Sequence, residues 1–136
     1  MTKWIIALAT LLLPYGAAAK DNLASSPKDL PVLELREDLS FSQTEYHVET
    51  GKAYRLVIKS DGGDSFSFRA PDFFQQVWIN GIQVDGLTIK TTTLTAINFE
   101  DAAEVTILFV PIRPGKFDFW AEGYQSRGML GHFVVE

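Results

Sequence analysis

Few residues in this chain could hold a metal or move a proton. Histidine occurs twice, at His47 and His132, and cysteine does not occur at all. His132 follows Met129 by three residues, and a thioether with an imidazole is a weak donor pair suited to a soft ion such as copper(I). The plainer reading of His132 is a strand-end histidine bonded to backbone. His47 lies between Glu45 and Glu49 at a spacing of two. That spacing sets one imidazole and two carboxylates on one side of an extended chain, where a divalent ion could sit. It also describes a solvated strand face, and without a second histidine nearby in sequence this second reading is adopted. The missing cysteine removes any thiolate metal site and any thiol nucleophile. No G-x-S-x-G, H-E-x-x-H or glycine-rich phosphate loop is present, so the chain is not read as an enzyme.

The N-terminus reads as an address. Lys3 is followed by an apolar run, Trp4 to Leu13, then Pro14, Gly16 and the small residues Ala17, Ala18 and Ala19. This is the layout of a signal peptide over residues 1–19, cleaved after Ala19. The run is shorter than the roughly 20 residues a spanning helix needs. Export to a bacterial periplasm is expected, with no transmembrane segment in the mature chain from Lys20. The mature chain has 117 residues (136 minus 19), enough for one domain with one two-layer core. Its net charge is -6, the whole chain's -5 less Lys3. An acidic domain without a basic stripe argues against nucleic acid and anionic membranes as partners. It suits a basic protein partner, although ordinary solubility explains the charge as well.

Residues 20–30 are polar and read as a flexible mature N-terminus, and the folded domain is expected over 31–136. Pro31–Leu35 reads as an edge strand that Leu39 to Ser42 continues after a break. Glu45 to Glu49 alternates, with Tyr46 and Val48 inward. Tyr54 to Lys59 is the strongest strand of the first half, and Phe66 to Phe68 is a short one. Pro71 and Asp72 start a helical turn through Val77. Asn80-Gly81 and Asp85-Gly86 are hairpin signals, and Leu87 to Ile97 suits an extended edge. Val105 to Val110 is an apolar strand ended by Pro111. Lys116 to Trp120 alternates after Pro114-Gly115, with Phe117 and Phe119 on one face and Asp118 and Trp120 on the other. His132 to Glu136 closes the chain. These elements describe an all-β sandwich of about seven strands.

The pattern F-V-P-x-x-P-G-x-F-x-F over 109–119, a loop, and G-M-x-G-x-F-V-V over 128–135 resembles the C-terminal end of the cupredoxins. V-E-T-G-K-A-Y-R-L-V-I-K-S and F-S-F-R-A-P-D-F-F extend the resemblance over residues 39–136. It implies a Greek-key β-sandwich. It is nearest to cupredoxin-like domains associated with periplasmic iron uptake. The family's copper is held by a cysteine, two histidines and a weak methionine. The resemblance puts the first histidine at Phe66 (Ser67 if the register moves by one), the cysteine at Ala121, the second histidine near Tyr124 and the methionine at Met129. Only the methionine is kept. The expected picture is an apolar plug of Phe66, Tyr124 and Met129 over Ala121.

Aromatic residues gather around the loops at that end. Phe74, Trp78 and Tyr124 are candidates for docking a partner protein, periplasmic or membrane-bound, while Phe73 and Trp120 are assigned to the core. The reading is an exported cupredoxin-like binding or accessory module without cofactor, implied by the resemblance to serve metal handling. The alternative is copper binding or electron transfer through Met129 and His132.

Overall fold

A computed structural model describes residues 26–136; the segment 1–19 read as a signal peptide and residues 20–25 lie outside them. Along the chain the strands are β1 (Lys28–Asp29), β2 (Leu33–Leu35), β3 (Glu45–Val48), β4 (Tyr54–Ser60), β5 (Phe66–Arg69), β6 (Val77–Val84), β7 (Leu87–Ile89), β8 (Ile97–Phe99), β9 (Ala103–Pro111), β10 (Gly115–Ala121) and β11 (Leu130–Val135). A single α turn, α1 (Pro71–Phe74), follows β5, and a 3-10 turn (Gln125–Arg127) precedes β11.

The apolar strands β4 and β9 pair antiparallel from Tyr54↔Phe109 to Ser60↔Ala103 and form the middle of one sheet. Its order is β1-β4-β9-β6-β7, with β2 also lying parallel along β4. The second sheet has the order β3-β11-β10-β5-β8. Each long strand buries alternate residues, as a sheet with one solvated face must: Tyr54, Leu56 and Ile58 in β4, and Phe133 and Val135 in β11. The buried faces meet in one hydrocarbon core.

The turn α1 seals that core. Proline at its start fixes the backbone for a helical entry, and the turn delivers Phe73 between the sheets. Its ring stacks on Phe133 of the second sheet at 3.8 Å and meets Phe109 of the first edge-on at 5.4 Å. Phe119 continues the array, 5.0 Å from Phe133 and 5.8 Å from Phe68.

Several local expectations change. Pairing begins at Lys28, inside the segment read as a flexible N-terminus, because Lys28 N–H donates to the Ala53 carbonyl and Leu30 N–H to Arg55. The helical turn stops at Phe74. Leu39 to Ser42 makes one bridge, Leu35↔Phe41, instead of a strand, after a tight turn that Leu39 N–H closes on the Arg36 carbonyl. Asn80-Gly81 is no hairpin turn: β6 runs through it, and the pairing with β9 slips between Ile79 and Gly81. A glycine suits such a bulge because Thr88 Cγ2 lies only 3.0 Å from where a Cβ would stand. The hairpin is at Asp85-Gly86, both with positive φ, 47° and 77°, as a tight two-residue turn requires. Among the described residues eleven strands replace the expected seven or so, and the surplus is in strands of two or three residues, too short to leave a periodic signal.

Candidate functional site

The site read from the sequence sits where β5, β10 and the loop before β11 meet. Antiparallel pairing sets Ala121 opposite Phe68 and Trp120 opposite Arg69. One step further, Glu122 N–H donates to the Ser67 carbonyl at 2.9 Å. The loop then folds back through backbone bonds. Tyr124 N–H donates to Ala121 at 3.0 Å, Met129 N–H to Tyr124 at 3.3 Å, and Ala121 N–H to Met129 at 3.1 Å. Gly128, at φ 94°, caps the 3-10 turn in the left-handed region that favours glycine.

This brings Phe66, Ala121, Tyr124 and Met129 to one end of the sandwich. Phe66, Ala121 and Met129 are buried in the core and Tyr124 packs against it. The Phe66 and Tyr124 rings meet edge to face at 5.6 Å. The Tyr124 hydroxyl turns outward and donates to Asp64 Oδ2 at 2.8 Å. That acceptor, a little desolvation and the Asp64 charge push the Tyr124 phenol above its ordinary value.

A thiolate-centred copper ion needs one sulfur anion and two imidazoles near it. This end offers two aromatic rings, a methyl group and a thioether. These residues do not fit such an ion.

The Met129–His132 pair is a correction. Met129 is fully buried, whereas β11 buries Gly131, Phe133 and Val135 and turns Leu130, His132 and Val134 outward. His132 therefore sits on the outer face of the second sheet, its Nδ1 2.7 Å from Asp118 Oδ1. A core sulfur and an outer-face imidazole cannot touch one ion. His47 is also outward, 3.6 Å from Glu45 Oε1. Among the described residues, no three of His, Asp and Glu stand around a common metal position.

The docking set also divides. Phe74 is 1 % exposed and belongs to the core, because α1 turns both adjacent phenylalanines inward, where the Phe74 ring meets Phe68 and Phe73. Trp78 is 52 % exposed on the first sheet. Its cross-strand partner Val110 is buried yet lies outside the core cluster, so it is covered on the outer face. Trp120 is half-buried on the outer face of the second sheet, where its indole N–H donates to Glu122 at 3.1 Å. Asp64 and Asp118 were not singled out in the sequence, although alternation in 116–120 already set Asp118 outward; only the register names its partner.

An open cleft of about 710 Å³ lies elsewhere, between the β2–β3 connection and the end of β4. Arg36 pairs there with Glu34, and Asp61 accepts the N–H groups of Glu37 and Gly63. Those two bonds hold the Asp61 carboxyl below its usual range. None of the site residues read from the sequence lines it.

No family profile and no curated protein matches the chain. Solved structures do. A multicopper oxidase matches with a TM-score of 0.59 at 14% identity over 80% of this chain and 44% of its own. The Campylobacter jejuni multicopper oxidase, a metallo-oxidase, matches with a TM-score of 0.56 at 11% identity over 82% of this chain. This chain spans 31% of that oxidase. Dithionite-reduced auracyanin from Roseiflexus castenholzii gives 0.53 at 18% identity, over 82% of this chain and 98% of its own. At these identities the likeness is one of fold, and the fold is a cupredoxin-like β-sandwich.

Proposed function

We propose that this is an exported periplasmic module, a binding or accessory protein rather than an enzyme, that keeps the cupredoxin-like sandwich and does without its thiolate-centred copper. The observation that carries this reading is the edge-to-face contact of Phe66 with Tyr124 beside buried Ala121 and Met129. Volume is kept while donor atoms are lost, the kind of exchange that a packed core tolerates. A role in metal handling, iron uptake included, follows from the resemblance. Docking to a periplasmic or membrane-bound partner falls to exposed Trp78 and to the rim at Tyr124. No helix among the described residues is long and apolar enough to cross a membrane.

Two of these solved neighbours are named as multicopper oxidases, so copper is the cofactor to test. In the Ala121→Cys variant, copper(II) titration should give no intense visible copper–thiolate band, because no imidazole flanks the new thiol. Appearance of that band would overturn the plugged-site reading. Mass spectrometry of the exported protein should find Lys20 as its first residue; an intact 1–19 segment would overturn the address.

A further inference from the structure

We propose that Asn80-Gly81 is a self-modification site: assisted by Lys90, Asn80 of the folded protein loses its side-chain amide and becomes an aspartate or isoaspartate. The inference depends neither on export nor on the plugged end.

The bulge in β6 creates the site. Ile79 pairs with Phe109 and Gly81 with Leu108, so Asn80 is the extra residue, without a partner on β9. A bulge leaves such a residue out of the ladder and bends the strand there. Asn80 is exposed, and Gly81 after it has no side chain to crowd the backbone nitrogen. The other asparagines of the chain, Asn22 and Asn98, precede the bulky Leu23 and Phe99. Lys90, just after β7, reaches back to β6. Its ammonium donates to the Asn80 backbone oxygen at 2.5 Å and stands 3.5 Å from Asn80 Oδ1. It also stands 3.7 Å from the place a Cβ of residue 81 would take. One cation thus lies over the Asn80–Gly81 peptide and faces both carbonyl oxygens of Asn80.

Each contact serves a step of the amide loss. Hydroxide removes the Gly81 N–H proton, and the charge left behind spreads onto the Asn80 backbone oxygen, to which Lys90 already donates. The nitrogen pair then forms a bond to Asn80 Cγ, and the Cγ=Oδ1 pair moves onto Oδ1, which the same ammonium faces. A positive donor already in place at a developing oxyanion lowers the barrier. The Cγ–Nδ2 bond breaks, Nδ2 takes a proton from water and leaves as ammonia, and a cyclic imide closes. Water opens the imide at Cγ to give aspartate, or at the backbone carbonyl to give isoaspartate. In balance, one amide and one water become one carboxylate and one ammonium, with no change of oxidation state. The new carboxylate stands beside Lys90 and two residues along β6 from exposed Trp78. Isoaspartate lengthens the strand where it already holds an extra residue.

The test holds the folded protein in mildly alkaline buffer and follows it by peptide mapping with mass spectrometry, using Asn80→Asp as the product standard. Conversion of amide to acid should appear at Asn80 well before Asn98. Lys90→Met should slow it about tenfold in the folded protein, less than a buried oxyanion donor contributes, because this ammonium is exposed. In urea, where the contact is gone, variant and parent should convert at one rate. Lys90 is on the surface, so circular dichroism of Lys90→Met should match the parent. The assignment is overturned by a folded parent that keeps Asn80 intact while the unfolded chain loses it, or by equal conversion at Asn98. It is also overturned by a folded Lys90→Met that converts as fast as the parent, or by a slowing that persists in urea. None of these outcomes bears on the plugged copper position, which is read from the copper–thiolate band.

Discussion

Tyr124 donates its phenol proton to Asp64 Oδ2 at 2.8 Å, mooring the loop after β10 to the turn before β5, 60 residues away in sequence. The bond favours the neutral phenol, and the Asp64 charge opposes the phenolate. A phenol whose folded value is raised contributes stability that is complete below its ordinary value of about 10 and is lost as pH rises through the folded one. Ultraviolet titration should therefore show a late-ionising tyrosine that Tyr124→Phe removes and Asp64→Asn moves down. An unchanged titration in Asp64→Asn would mean that the bond is not populated in solution.

Tyr46 behaves in the same direction for another reason. It is buried, which pushes its phenol far up, and it donates to the Pro31 carbonyl at 2.9 Å. Above about pH 10 the unfolded chain ionises this phenol and the folded one does not. Stability should then fall by up to about 1.4 kcal/mol per pH unit from this group. Tyr46→Phe should cost about 1 kcal/mol at neutral pH, because the exposed Pro31 carbonyl can turn to water. It should also flatten the alkaline limb of denaturant unfolding curves; a limb unchanged in Tyr46→Phe would assign the loss elsewhere.

Phe66→His restores a family ligand type without restoring a site. It removes a buried ring and leaves an imidazole without a partner in the core. Chemical denaturation should register a loss of about 1–3 kcal/mol, and copper should return none of it. Stabilisation by copper would show donors converging there after all.

Gly131 is the tightest position in β11. A Cβ there would collide with the Phe119 ring and stand 2.6 Å from the Thr44 carbonyl oxygen, which is backbone and cannot swing aside. Gly131→Ala should destabilise by about 1–3 kcal/mol or more. Adding Phe119→Leu should recover only part of that, because the clash with Thr44 remains. Full recovery would place the whole strain on the ring.

Much of the fold was legible because its signals are local. The alternation of Phe117 and Phe119 against Asp118 and Trp120, the apolar run of β9 and the paired glycine-type turn at Asp85-Gly86 each declare themselves within a few residues. Asn80-Gly81 gave the same local signal and meant something else, since the neighbouring strands decide whether an Asn-Gly pair turns or bulges. Phe74 was undecidable locally: a four-residue turn has no periodicity, and its burial depends on two sheets assembled from distant segments. At the plugged end, identities could be read from the resemblance, whereas the contact between Phe66 and Tyr124 depends on how the loop folds back. The outward faces of Glu45 and Asp118 could be read from alternation, but not that His132 stands opposite both, because the parallel register of β3 on β11 is a property of the finished sheet.

That parallel pairing also governs when the protein can exist. β3 has β11 as its only neighbour in the sheet, and the two stay tied at their ends, with Glu136 N–H donating to Val48 and Thr50 N–H to Glu136. An early strand thus waits for one far downstream in the chain, and until Leu130–Val135 leaves the ribosome, Tyr46 and Val48 have no sheet to join. Such non-local closure is slow and comes late. A nascent chain that stays open for so long can still be threaded through a translocation channel, the passage that the proposed export demands.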